Sequence, residues 1–185
     1  GKSSDGYYEI STAEALAWFA YQVNLKGNNE INGRLTADID LFGGTYTDNT
    51  YNETTNNIDD AVIWIPLGNL SSTLTAGYCG IFDGNQHHVS NMRVGTLSGD
   101  NGLRKGFIGV LGDDASRKAG IIKDFGVKSG KVTGLSYTAG IAAVVQGTGS
   151  KVQRCWNGAE ISGISPVGGI IALMGSSSVP QIDRK

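Results

Sequence analysis

The chain has 185 residues, of which 28 are glycine and only 17% are charged, and its net charge is −2 from 15 Lys and Arg against 17 Asp and Glu. That balance, with no basic run, argues against a phosphate-neutralising nucleic-acid surface, and no stretch approaches the roughly 20 consecutive apolar residues of a membrane-spanning helix. Glycine at about twice its usual share and charge below it predict frequent tight turns and a single domain whose core is elongated rather than round.

The chain opens on Gly1 without an apolar leader, so its N-terminus is read as trimmed, any export signal having been removed. The first element is a helix over residues 11–25: Ser11 can cap it with Glu14 three residues on, Leu16, Phe19, Ala20 and Val23 share one face, and Gly27 supplies the stop. A stack of strands ends in apolar side chains and unpaired backbone, both of which an amphipathic helix can cover. Residues 1–30 are therefore expected to form an N-terminal cap.

From Ile31 onward, short runs rich in Val, Ile, Leu and Thr alternate with Gly, Asn, Ser and Asp, as at residues 34–41 and 62–67, and read as strands. The Asn- and Thr-rich residues 43–60 between them are too long for a simple connection and are expected to be an exposed insertion.

Internal repetition decides the architecture. Gly134-Leu135-Ser136-Tyr137-Thr138-Ala139-Gly140-Ile141-Ala142 aligns with Gly163-Ile164-Ser165-Pro166-Val167-Gly168-Gly169-Ile170-Ile171, and Lys131-Val132-Thr133 with Glu160-Ile161-Ser162, an offset of 163 − 134 = 29. A more diverged copy begins at Gly102, where Gly106 precedes Gly140 by 34 because residues 113–118 form an inserted loop. Residues 178–185 resemble the beginning of one more copy, near Ser150-Lys151-Val152. No such unit can bury its apolar face alone, so units stack, and parallel crossovers are overwhelmingly right-handed. The expected fold is all-β, a right-handed parallel β-helix with an N-terminal capping α-helix: residues 31–185 form the β-helix, in one structural domain with the cap. If its last coil is open, that edge could pair with a second molecule as a weak dimer.

Three segments carry a family likeness: Ala37-Asp38-Ile39-Asp40-Leu41, Trp64-Ile65-Pro66-Leu67-Gly68, and the run from Gly80-Ile81-Phe82-Asp83-Gly84-Asn85 through Gln86-His87-His88-Val89-Ser90-Asn91-Met92. With the glycine repeats after Gly102 they resemble the GLUG-repeat proteins of Bacteroides-like gut bacteria, over about residues 9–174. The resemblance implies an exported, often lipid-anchored surface protein. Its repeats serve as an adhesin-like stalk or binding scaffold, and are found beside the protease domain of immunoglobulin-A protease-like relatives. A zinc protease of that type needs a His-Glu-x-x-His helix, whereas this chain has only the adjacent His87 and His88.

No catalytic, cofactor-binding or metal-binding set is expected. His87 and His88, adjacent in an extended run, should point to opposite faces. Asp83-Gly84-Asn85 reads as a tight turn with Gly84 at positive φ. Asp38 and Asp40 should share the solvated face of a strand, with Ile39 and Leu41 turned inward. Tyr46, Asp48, Tyr51, Asn52, Glu53, Asp59 and Asp60 gather in the expected insertion, a mix suited to stacking a sugar or holding calcium. Trp18, Trp64 and Trp156 are read as core or cap packing, and the glycosylation triplets at Asn52 and Asn69 as carrying little weight. Cys79 and Cys155, 76 residues apart, lack the spacing of zinc or redox pairs and are read as free thiols.

The expected function is a non-catalytic, extracellular or outer-surface module for adhesion or ligand presentation, its partner a host glycan or extracellular protein. The alternatives are a carbohydrate-active enzyme on the same scaffold and the non-catalytic segment of an immunoglobulin-A protease-like protein.

Overall fold

The computed structural model describes residues 1–41, 64–68, 77–95, 102–175 and 181–183; the expected insertion at 43–60 lies outside the described residues. The chain is mostly strand, with one helix. It begins with β1 (Tyr7–Ile10), α1 (Ala13–Asn24), β2 (Asn32–Leu35) and β3 (Ile39–Asp40). Then come three rounds of five strands. The first is β4 (Ile81–Asp83), β5 (His88–Ser90), β6 (Met92–Val94), β7 (Leu103–Lys105) and β8 (Ile108–Leu111). The second is β9 (Ile121–Lys123), β10 (Gly126–Val127), β11 (Gly130–Thr133), β12 (Ser136–Ala139) and β13 (Ala142–Val145). The third is β14 (Lys151–Gln153), β15 (Trp156–Asn157), β16 (Glu160–Ser162), β17 (Val167–Gly168) and β18 (Ile171–Met174), after which β19 (Gln181–Asp183) follows.

Each round sends its strands to five different sheets in the same order. The sheets are β1-β2-β4-β9-β14-β19, β15-β10-β5-β3, β16-β11-β6, β17-β12-β7 and β18-β13-β8, and every pairing between these strands is parallel. The 29-residue repeat is the register itself: Lys131 pairs with Glu160 and Ala142 with Ile171. Ala142 pairs with Ile108, 34 back, while Lys151 pairs with Ile121, 30 back. The four-residue difference therefore falls in the loop at residues 113–118, whose base is the Asp113–Lys118 bridge. β19 joins the edge of β14 with Gln181 opposite Lys151, so the tail does start the strand that its likeness to residues 150–152 predicts.

The helix is shorter than expected. Thr12, not Ser11, is its N-cap, with its hydroxyl accepting the Ala15 N–H at 3.2 Å, and β1 precedes it within the segment read as all cap. Leu16, Phe19, Ala20 and Val23 are buried as their spacing predicts. Phe19 meets Tyr78 and Phe82 edge-on, with centroids 6.1 and 6.0 Å away. Asn24 ties the helix end to the first strands by donating to the Pro66 carbonyl and accepting the Gly68 N–H. Gly33 leaves the room that Phe19 fills, since a Cβ there would stand 2.9 Å from the phenyl ring.

The core is a column of aromatics running from round to round. Phe82 contacts Phe107 and Phe125 at 5.0 and 5.4 Å, and Trp64 stacks on Phe107 at 5.2 Å with the rings 5° from parallel. The Trp64 indole N–H, buried with the ring, donates to the Phe107 carbonyl at 2.9 Å, which removes the cost of an unsatisfied donor. Each such ring contributes about 1.5–3 kcal/mol by leaving water.

Candidate functional site

Four residues share one rung of the sheet β15-β10-β5-β3. Gly126 pairs with both His88 and Trp156, and Ile39 pairs with Val89, so Asp38 stands opposite His88. Ile39, Val89 and Val127, one residue further along, are buried. Because side chains alternate along a strand, Asp38, His88 and Trp156 lie on the outer face.

The corner between the first sheet and this one explains His87. Asp83 pairs with Lys123 and His88 with Gly126, so five residue steps in one round match three in the next. The longer corner turns through Asn85 and Gln86 at φ of 50° and 69°, and its His87 N–H donates to the Gly84 carbonyl at 2.8 Å. The left-handed residues are thus Asn85 and Gln86, not Gly84. Gly84 is required for a different reason: a Cβ would press on the backbone of Asp124 and Phe125 in the next round.

This corner overturns the expectation that the histidines diverge. His87 lies outside β5, so strand alternation does not govern it, and Nδ1 of both His87 and His88 stands 3.1 Å from Oδ1 of Asp38. The same oxygen accepts the His88 backbone N–H at 3.1 Å. Partial burial pushes the Asp38 carboxyl up, but the His88 N–H and the His87 ring outweigh it and hold the acid below its ordinary value. An ionised carboxylate only accepts hydrogen bonds, so each neutral imidazole must carry its proton on Nδ1 when facing Asp38, leaving Nε2 as an acceptor turned elsewhere.

Trp156 continues the rung and is 48% exposed. A Cβ at Gly126 would overlap Cε2 of its indole and, nearly as closely, the bonded neighbours Cζ2 and Nε1. That pattern belongs to a point above the ring face, because an in-plane approach would come nearest the rim. The indole therefore lies flat over Gly126 and reaches His88, whose ring centroid is 5.9 Å away. Of the three tryptophans read as packing, Trp64 is buried, whereas Trp156 is exposed and Trp18, 40% exposed, leans on Tyr8 at 5.3 Å.

The other candidates are held in structural roles. Asp83 accepts the Asn85 N–H through Oδ1, and its Oδ2 lies 2.9 Å from Lys123 Nζ and 3.7 Å from Arg34 Nε. Asp40 does lie on the outer face and accepts from the Asn91 amide. Cys79 and Cys155 are free thiols in separate surroundings, half-buried, and burial pushes both up to about 11. A cleft of about 340 Å³ opens beside β1, lined by Lys2, Tyr8, Asn28, Asn29, Glu30 and Asn32. Its amides are committed to Gln22, to the Gly77 carbonyl and to the Ile81 N–H. Among the described residues, no group of three or more His, Cys, Asp or Glu side chains is arranged to hold a metal ion. No helix among them is long and apolar enough to cross a membrane.

Neither protein-family models nor curated proteins nor solved structures give a match to this chain, so the GLUG-repeat resemblance rests on its own residues.

Proposed function

We propose that the chain is a non-catalytic β-helix module of an exported bacterial protein, GLUG-like in its repeats, that works by presenting its outer face to a glycan or protein ligand. The observation that carries this reading is the fixed order of five sheets, visited round after round in parallel register. Strands that pair in parallel need a crossover each time, and such crossovers are right-handed in about 98% of cases, so the rounds are read as coils of a right-handed helix with α1 over its first end. The carboxylates support presentation over catalysis. Asp38, Asp83 and Asp124 are held by cationic or imidazole partners and Asp40 by Asn91, whereas glycoside hydrolysis needs two working carboxyl groups about 5–10 Å apart across a substrate cleft.

The test is to immobilise the purified chain and screen it against a glycan array and extracellular-matrix proteins, with and without calcium, while assaying polysaccharides for new reducing ends. A ligand retained without turnover is the expected result. Release of reducing ends, or the absence of any ligand, overturns the reading.

A further inference from the structure

We infer that the Trp156 indole, seated on Gly126 and continued along the rung by His88, His87 and Asp38, is a binding platform for an uncharged oligosaccharide. The inference rests on the ligand-presenting reading and gives it a site. With one indole face laid on the Gly126 backbone and nearly half of the side chain exposed, the opposite face is turned to solvent. A pyranose ring presents a patch of C–H groups on one side and hydroxyls around its rim. The indole face complements the first through apolar contact and its negative quadrupole, and acceptors beside it complement the second.

Those acceptors lie in line. Strands are about 4.8 Å apart, so His88 is one spacing beyond Gly126 and Asp38 two. Asp38 fixes both imidazoles with Nδ1 toward itself, which leaves Nε2 of His87 and His88 to accept hydroxyl hydrogens. The ionised Asp38 would repel an acidic sugar, so the ligand is a neutral one. The platform is also already ordered: the indole is confined by the backbone beneath it and the imidazoles by the carboxylate, so little side-chain entropy remains to be lost on binding.

Gly126 is the positioning residue. In the folded chain any side chain there would occupy the volume of the indole, lifting Trp156 off the sheet and away from His88. The contact is local to the outer face, and its loss leaves the inward Val89 and Val127 untouched.

Isothermal titration of the full chain near neutral pH with cellohexaose, xylohexaose, mannohexaose and chitohexaose tests the site, with oligogalacturonate as the acidic contrast and a proline-rich peptide as the non-sugar contrast. At least one neutral hexaose is expected to bind. Trp156→Ala should weaken it about tenfold or more, Gly126→Ala should weaken it in the same direction, and Trp156→Phe should retain part of it, with circular dichroism unchanged for the Trp156 variants. Binding by none of the neutral hexaoses, preference for either contrast ligand, or equal affinity in Trp156→Ala overturns the site. If the array finds a ligand that Trp156→Ala still binds, the site fails while the presenting function stands; an array with no ligand defeats both.

Discussion

The second and third rounds are near copies in sequence and differ sharply in burial. All four residues of β13 are buried and none of β18 is; Val132 and Ile141 are fully buried, while their counterparts Ile161 and Ile170, 29 residues on, are only partly so. Both rounds fold the same way, yet the second has a round on each side and the third is followed only by β19. In stacked repeats the neighbour, not the local pattern, sets how much a side chain contributes.

The sharpest way to break that comparison is to truncate matched positions. Ile141→Ala should destabilise by about 2–5 kcal/mol through lost burial and a cavity, and Ile170→Ala by less than about half as much, measured by urea denaturation. Equal losses would mean that the third round is as deeply packed as the second. Next comes the glycine pair. A Cβ at Gly140 would overlap the Asn157 side chain and stand 2.6 Å from the Gly169 carbonyl oxygen, whereas one at Gly169 would meet nothing within 4 Å. Gly140→Ala should therefore cost about 1–3 kcal/mol and Gly169→Ala no more than about 0.5 kcal/mol. Static light scattering sharpens the contrast from another side: the partly exposed Ile161, Ile170, Ile171 and Met174 predict weak self-association at high concentration. A strict monomer across concentrations removes the dimer expectation.

The smallest effect is electrostatic. Arg154 clasps Asp124 across one round, with Nη2 2.7 Å from Oδ2, and holds its carboxyl below the ordinary value. A depressed folded value stabilises fully above the unfolded carboxylate value, about 3.9, and is lost as pH falls through the lower folded value. Asp124→Asn should accordingly remove a small part of the acid-side loss of stability, less than about 1 kcal/mol because Arg154 is well solvated. A pH titration of the denaturation midpoint that is identical in the two proteins would deny the pair any stabilising role.

The repeat and the helix face were legible because each rests on spacing within one stretch: the 29-residue offset became the register, and Leu16, Phe19, Ala20 and Val23 became the buried face. The outer-face site was not legible in the same way. Asp38 meets His87 and His88 49 and 50 residues away, a pairing set by sheet register across the unlike early segments, where no repeat offset applies. The Gly126–Trp156 seat carried a usable signal, because glycine stands 30 residues before an aromatic at the same rung, but it becomes visible only when the alignment of the later copies is extended toward their beginnings. The left-handed conformations of Asp124 and Arg154, at φ of 52° and 50° and one round apart, left no trace in residue type, since neither is glycine.

The central claim is that rounds stack in parallel at the repeat offset, and nuclear Overhauser contacts on the isotope-labelled chain test it most directly. Parallel pairing predicts interstrand amide and α-proton contacts around Val132 and Ile161, around Val144 and Leu173, and around Ile122 and Val152. Close α-proton to α-proton contacts of antiparallel strands, or a register shifted by one residue that would turn Val132 and Val152 outward, would contradict it.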